Sequence, residues 1–357
     1  MSFWKRRRRG EIRVAVEKVA RLLDGALCQG SIGTGLSLHS IASFLLQRLG
    51  WAVVTLLLLS VMVFFGAQVL PGNIGRAILG PLADAAAVIA LNHELGVDRP
   101  LWVQYLDWIT HFIRGDMGKS FIYHTPVFPF VLEALMKSLA LALVVAVLVI
   151  PISLAGGVLA ALKANRSTDR IITLVGLSMT IIPEFASGIV LILVFGVWLH
   201  WFPISAKWAD GAGVFERLDH LILPALPLVL ILFGYIARMA RAGTIAALDS
   251  DYARTAILKG LPSRTVIWRH VLRNALLPTI SVIGTQVGYL IGGLVVVETL
   301  FNYRGIGALI FSAAKAKDFP MLQAGVLTVG LCYTLAAILA DLLFYLLNPR
   351  LRLGGGR

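Results

Sequence analysis

Residues 138–162 read SLALALVVAVLVIPISLAGGVLAAL, 25 positions without one Asp, Glu, Lys or Arg. A helix rising about 1.5 Å per residue needs roughly 20 residues to cross about 30 Å of hydrocarbon, so this stretch is long enough to span a bilayer. It is continuously apolar instead of alternating, which is the pattern of a spanning helix and not of a barrel strand. Working outward, five more charge-free stretches appear at 49–75, 185–206, 220–237, 274–297 and 319–340. Over 357 residues, 58% are hydrophobic and 14% charged, and the mean hydropathy is +0.83. One soluble core cannot hide that much apolar surface. The expectation is an all-α polytopic membrane protein with six transmembrane helices.

The same arithmetic excludes several functions. Outside the apolar stretches, the longest pieces are the first 48 residues and the segment of about 60 that follows the first span, both small for an independent catalytic domain. A fused ATPase does not fit. Cys28 and Cys332 are the two cysteines, too few and too far apart for a disulfide framework or a Cys-x-x-Cys metal site. No metal-ligating set, catalytic group or cofactor of the chain's own is expected.

Lys and Arg are distributed unevenly between the loops. With the N-terminus inside, the segments 1–48, 163–170, 238–273 and 350–357 hold 22 of them, and 71–130, 207–217 and 304–317 hold nine. The positive-inside bias puts both termini in the cytoplasm. It also accounts for the net charge of +13 without nucleic acid, since the excess flanks the membrane instead of forming one basic face.

The chain divides into a basic leader, 1–40, and a membrane domain, 41–353, with an outer segment at 71–130 and an inner loop at 238–273. The leader opens Lys5-Arg6-Arg7-Arg8-Arg9 and then places Ile12, Val16, Val19 and Leu23 at helical spacing, which suits a helix lying on anionic lipid or a tail that sets topology. Pro71-Gly72 ends the first span. In the outer segment, Trp102, Leu106, Ile109 and Ile113 beside Tyr105 and Trp108 predict a helix over 100–113 lying along the membrane surface, in a packing role.

Two apparent motifs fail on inspection. Gly118-Lys119-Ser120 lacks the earlier glycine of a phosphate loop, because Ile113 stands there, and His93-Glu94 lacks the second histidine of a zinc-protease helix. Carboxylates near the spans are few: Glu184 after Pro183, Glu298 at an outer end and Asp341 at an inner end. The last two are expected at an interface or a capped helix end. Glu184 is the candidate for a substrate pathway, where it could hold the amino terminus of a peptide or a cation.

The inner loop is more than a connection needs. It reads Asp251-Tyr252-Ala253-Arg254-Thr255-Ala256-Ile257-Leu258-Lys259-Gly260, then Leu261-Pro262-Ser263-Arg264. Asp251 suits a helix start, Gly260 a C-terminal stop with positive φ, and Pro262-Ser263 a second start. An exposed helix of small residues suits docking into a groove on a partner protein.

This run, with Arg269-His-Val-Leu-Arg-Asn-Ala-Leu-Leu-Pro278, resembles the permease subunits of ATP-binding-cassette importers for dipeptides, oligopeptides and nickel. Asp98-Arg-Pro-Leu-Trp-Val-Gln-Tyr105, Arg114-Gly-Asp-Met-Gly-Lys-Ser120, Val295-Val-Val-Glu-Thr-Leu-Phe301, Gly305-Ile-Gly307 and Asn348-Pro-Arg350 extend the resemblance over 41–353. The superfamily's Glu-Ala-Ala is Arg254-Thr255-Ala256 here, and the leader has no counterpart. The resemblance implies a MetI-like membrane domain in a bacterial inner membrane, forming half of a pathway for peptides, or else for nickel or another small solute. It implies a second permease, two cytoplasmic ATPases that bind ATP and Mg, and an external solute-binding protein. Residues 251–256, 259 and 260 would couple this chain to an ATPase.

An ion-coupled secondary transporter would show inverted repeats with broken helices, and no such repeat is visible, although Pro183, Pro224 and Pro227 leave room for breaks. Finally, Gly284, Gly288 and Gly292 fall on one helix face, a stripe that lets two helices approach closely in lipid, at a partner permease or a neighbouring span.

Overall fold

A computed structural model describes residues 38–69, 74–80, 82–94, 96–209 and 211–347. The basic leader up to residue 37, Pro71-Gly72 and Asn348-Pro-Arg350 lie outside them. Arg48–Phe344 form one compact unit, whose fold follows.

Among the described residues, four helices are each long and apolar enough to cross a membrane: α1 (Leu38–Val69), α5 (Val127–Leu162), α8 (Val214–Leu248) and α13 (Phe319–Leu347). Between the first two lie α2 (Ile74–Leu79), α3 (Ala85–Glu94) and α4 (Leu101–Ile113). A fifth span arises if α6 (Ser167–Ile181) and α7 (Glu184–Leu191, continuing as a π-helical turn to Trp198) are taken together, although they meet at 107°. Of the six expected spans, the described residues therefore show four long helices and a bent pair that counts as one span at most, while the stretch expected at 274–297 forms α10 (Leu277–Gly293), only 17 residues long.

The causes are local. Proline disfavours helical backbone at the preceding residue, and Ile182 before Pro183 is extended, at φ −71° and ψ 125°. The expected stretch 274–297 is shortened to 17 residues by Pro278 in the first turn and by a turn at Leu294, after which α11 (Val295–Leu300) begins. Pro224 and Pro227, by contrast, lie inside unbroken α8, both buried, where packing outweighs the lost hydrogen bonds.

Helix α8 is the centre. Its apolar window is 61% buried, against 11% for those of α1 and α13. Leu223, Leu228, Leu232 and Ile236 of α8 meet Leu141, Val145 and Val149 of α5 and Leu290 of α10 in the main core. Helices α6 and α8 cross at Gly176 and Gly234, where a Cβ on Gly234 would strike the Gly176 carbonyl. Small residues permit such approach where lipid surrounds the bundle.

The end of the bundle around Glu298 is locked by buried polar groups. Glu298 on α11 is fully buried; it accepts hydrogen bonds from Ser138 Oγ of α5 and, at 2.9 Å, from Ala308 N–H in the first turn of α12 (Ile306–Ala316). Ser138 Oγ also accepts from Ile306 N–H at 2.8 Å, and the Tyr303 hydroxyl donates to the Lys137 carbonyl at 2.7 Å. A Cβ on Gly305 would overlap the Glu298 carboxyl. Glu298 is thus a capping carboxylate. Asp318, also buried, accepts from Ser120 Oγ and Phe121 N–H, so the false phosphate loop at 118–120 is a strut to the start of α13.

The helix expected over 100–113 forms as Leu101–Ile113. Trp102, Leu106 and Ile113 are exposed, and Tyr105 and Trp108 pack on Phe64 at ring distances of 5.4 and 5.7 Å, with Tyr105 hydrogen-bonded to Ser60 at 2.8 Å.

Candidate functional site

At the C-terminal end of α8 the chain turns at Ser250 into α9 (Asp251–Leu258). Ala253 and Ala256, three apart and so on one face, are buried with Ala247, Val266, Val271 and Ala275. Asp251, Tyr252, Arg254, Thr255, Lys259 and Gly260 are exposed. The small residues therefore hold α9 against its own chain, which corrects the expectation that they form the docking face. Large apolar side chains are what point away: Leu258 is 87% and Ile257 61% exposed, beside Tyr252 and Leu261.

The end of α9 is fixed by backbone chemistry. Leu261 N–H reaches the Ala256 carbonyl at 3.4 Å and Gly260 N–H the Ile257 carbonyl at 2.9 Å, the paired bonds of a Schellman cap. Gly260 adopts φ +74°, and a Cβ there would meet nothing within 4 Å. The demand for glycine is thus conformational and not a matter of space. Pro262 then caps a second helical segment, with Thr265 and Val266 N–H donating to its carbonyl. That segment continues through a π-helical turn to Ala275, and a Cβ on Gly243 of α8 would strike the Ala275 carbonyl. Close by in sequence, Arg241 of α8 makes a two-pronged ion pair with buried Asp169 of α6, at 2.5 and 2.7 Å. Helix α9 is in this way connected to α8, and α8 to α6, by rigid contacts.

A second feature lies at the bend between α6 and α7. Glu184, half-buried, accepts a hydrogen bond from the Tyr289 hydroxyl of α10 at 2.5 Å. The two line a cavity of about 530 Å³ with Thr180, Pro183, Tyr235 and Gln286. Arg238, one turn along α8, lies over the Tyr235 ring at 5.4 Å. Tyr235, Gln286 and Tyr289 escaped the sequence reading; the available signal was polar atoms inside charge-free stretches. Elsewhere on α10, a Cβ on Gly284 would meet Ala340, and one on Gly288 would meet Tyr333 at 2.9 Å, so these glycines face α13. Gly292 lies in the same helix.

A multi-pass helical bundle with a cavity at a helix break and an exposed apolar loop has the build of a membrane transport component. Residues 152–353 match the family model of the binding-protein-dependent transport system inner membrane component, and 41–142 match that of the N-terminal part of such components. The chain belongs to this family of permeases, which are transport proteins and not enzymes, and is a multi-pass inner-membrane component of the ATP-binding-cassette importer class. It is 35% identical over 310 residues to the glutathione transport system permease protein GsiC of Escherichia coli K12, and equally to that of Salmonella choleraesuis; each alignment covers 87% of this chain and 99% of the relative. A crystal structure of an amino acid ABC transporter with histidines superposes with a TM-score of 0.44 at 14% identity, over 62% of this chain and 94% of that one.

Proposed function

We propose that this permease forms half of the pathway of an ATP-driven importer of small peptides. In this reading a second permease completes the pathway. Two cytoplasmic ATPases hold ATP and Mg, and a solute-binding protein delivers substrate from the opposite face. Both termini are cytoplasmic, as the Lys and Arg asymmetry indicates. The observation that carries the coupling role is the exposed Tyr252, Ile257 and Leu258 on a helix whose other face is fixed to the bundle. Such a helix fits a groove on a partner and is held rigidly enough to transmit its movement. Asp251, Arg254, Thr255, Lys259 and Gly260 ring the same surface, and Ala253 and Ala256 hold its base. Peptides are the substrate class because relatives covering nearly the whole membrane domain are named for transport of glutathione, itself a tripeptide. The test is copurification with two ATPase subunits and peptide uptake into proteoliposomes that follows ATP. Uptake that follows an ion gradient without ATP would overturn the reading.

A further inference from the structure

The acidic groups of the membrane region differ in how their charge is met. Asp169 has Arg241 and Asp341 has Arg48, the latter at 3.2 Å. Glu133 has Lys137, and Glu298 has hydroxyl and amide donors. Glu184 has the Tyr289 phenol, and among the described residues no cation pairs with it. A carboxylate held within a membrane protein with no counter-charge is costly, and such groups mark pathways or binding sites. The phenol occupies one oxygen, Oε1, and orients the group, which leaves Oε2 available for a second donor.

What surrounds that oxygen defines the donor. The cavity is lined by Tyr235, Tyr289, Gln286 and Thr180 among apolar side chains; the Arg238 guanidinium lies over the Tyr235 ring, and the Thr180 hydroxyl donates to the Leu177 carbonyl, so the Tyr289 ring and the Gln286 carboxamide are the groups left beside the carboxylate. An aromatic face beside a carboxylate attracts an ammonium ion through both charge and the ring quadrupole. A divalent metal ion would be served by several hard or imidazole ligands, and among the described residues no three His, Cys, Asp or Glu side chains converge. At about 530 Å³ the cavity falls within the few hundred to a thousand Å³ typical of small-molecule sites, and matches a short peptide better than a bare ion.

We propose that Glu184, oriented by Tyr289 and with Gln286 beside it, binds the ammonium group of a peptide in transit. The cavity is then a way-station with its own selectivity, separate from that of the solute-binding protein. The inference rests on the peptide-importer reading for its substrate, and its test is independent of transport.

The permease, coexpressed with its second permease and ATPases and placed in lipid nanodiscs without the binding protein, is titrated with dialanine, N-acetyl-dialanine and N-acetyl-alanyl-lysine. Wild-type complex binds dialanine at least tenfold more tightly than N-acetyl-dialanine. Glu184→Gln removes that preference, and Tyr289→Phe weakens it. Binding of N-acetyl-alanyl-lysine equal to that of dialanine shows that any ammonium is read; weaker binding confines recognition to the peptide's amino terminus, and both support the site. Intact assembly of Glu184→Gln by size exclusion guards against misfolding. Equal affinity for dialanine and its acetylated form, or a preference that survives Glu184→Gln, overturns the proposal while ATP-driven uptake by wild-type complex leaves the importer reading standing. Absence of any ATP-driven uptake overturns the importer reading whatever the cavity binds.

Discussion

The outer turn around Glu298 and the inner loop around α9 are both short helices joined by tight turns, and they treat their side chains in opposite ways. At the turn around Glu298 the carboxylate, Ser138 and the first amides of α12 satisfy one another in a buried cluster, and beside them the Tyr303 hydroxyl donates to the Lys137 carbonyl. At the loop around α9, Ala253 and Ala256 face the bundle, while Leu258 and Ile257 project outward, uncovered by the described residues. Buried polar groups that are fully paired give a fixed structure. Exposed large apolar groups on an otherwise anchored helix are the mark of a surface meant to be covered. The turn around Glu298 is satisfied within the subunit, and the loop around α9, in the proposed reading, is completed by an ATPase subunit.

The comparison can be broken by mutation. The largest effect is expected at the anchor beneath the inner loop: Arg241→Ala strands buried Asp169 and should cost about 3–5 kcal/mol, read as a lower unfolding temperature of the purified complex. A change near zero would show that α6 and α8 are not held by this pair. At the outer turn, Glu298→Ala leaves the Ser138 hydroxyl and an amide of α12 unpaired, a loss of about 1–3 kcal/mol for each stranded group, with reduced assembly. Gly260→Val forces a β-branched residue into φ +74° at a cost of about 1–3 kcal/mol. There the complex should still assemble and hydrolyse ATP, with uptake lost; normal uptake at normal expression would sever α9 from coupling. Leu258→Ser should change stability by less than about 0.5 kcal/mol, because the side chain is exposed, yet still lower ATP-driven uptake. If it shifts the unfolding temperature as much as Glu298→Ala does, the contrast between the two regions fails.

Much of this was legible in the sequence. Charge-free length located the long helices, and Asp251, Gly260 and Pro262 located the ends of α9, because spans and caps are set by local chemistry. The break at Ile182-Pro183 was visible as a possibility, but nothing local told Pro183 apart from Pro224 and Pro227; burial against α5 and α7 keeps α8 whole. The docking face of α9 was misread because alanines suggest an exposed docking surface only until tertiary packing shows them facing their own chain. The Glu184–Tyr289 contact joins residues 105 positions apart, and no spacing rule reaches that far. Glu298 could be assigned to a capped helix end, although its partner Ser138, 160 positions earlier, could not be named.

The coupling claim is tested most directly by placing a photoreactive amino acid at position 258 in the complete transporter and identifying what it captures. The account predicts a covalent adduct with an ATP-binding subunit that is lost when Gly260→Val is introduced alongside. Adducts only with lipid, with the solute-binding protein or with this chain's own helices would contradict it.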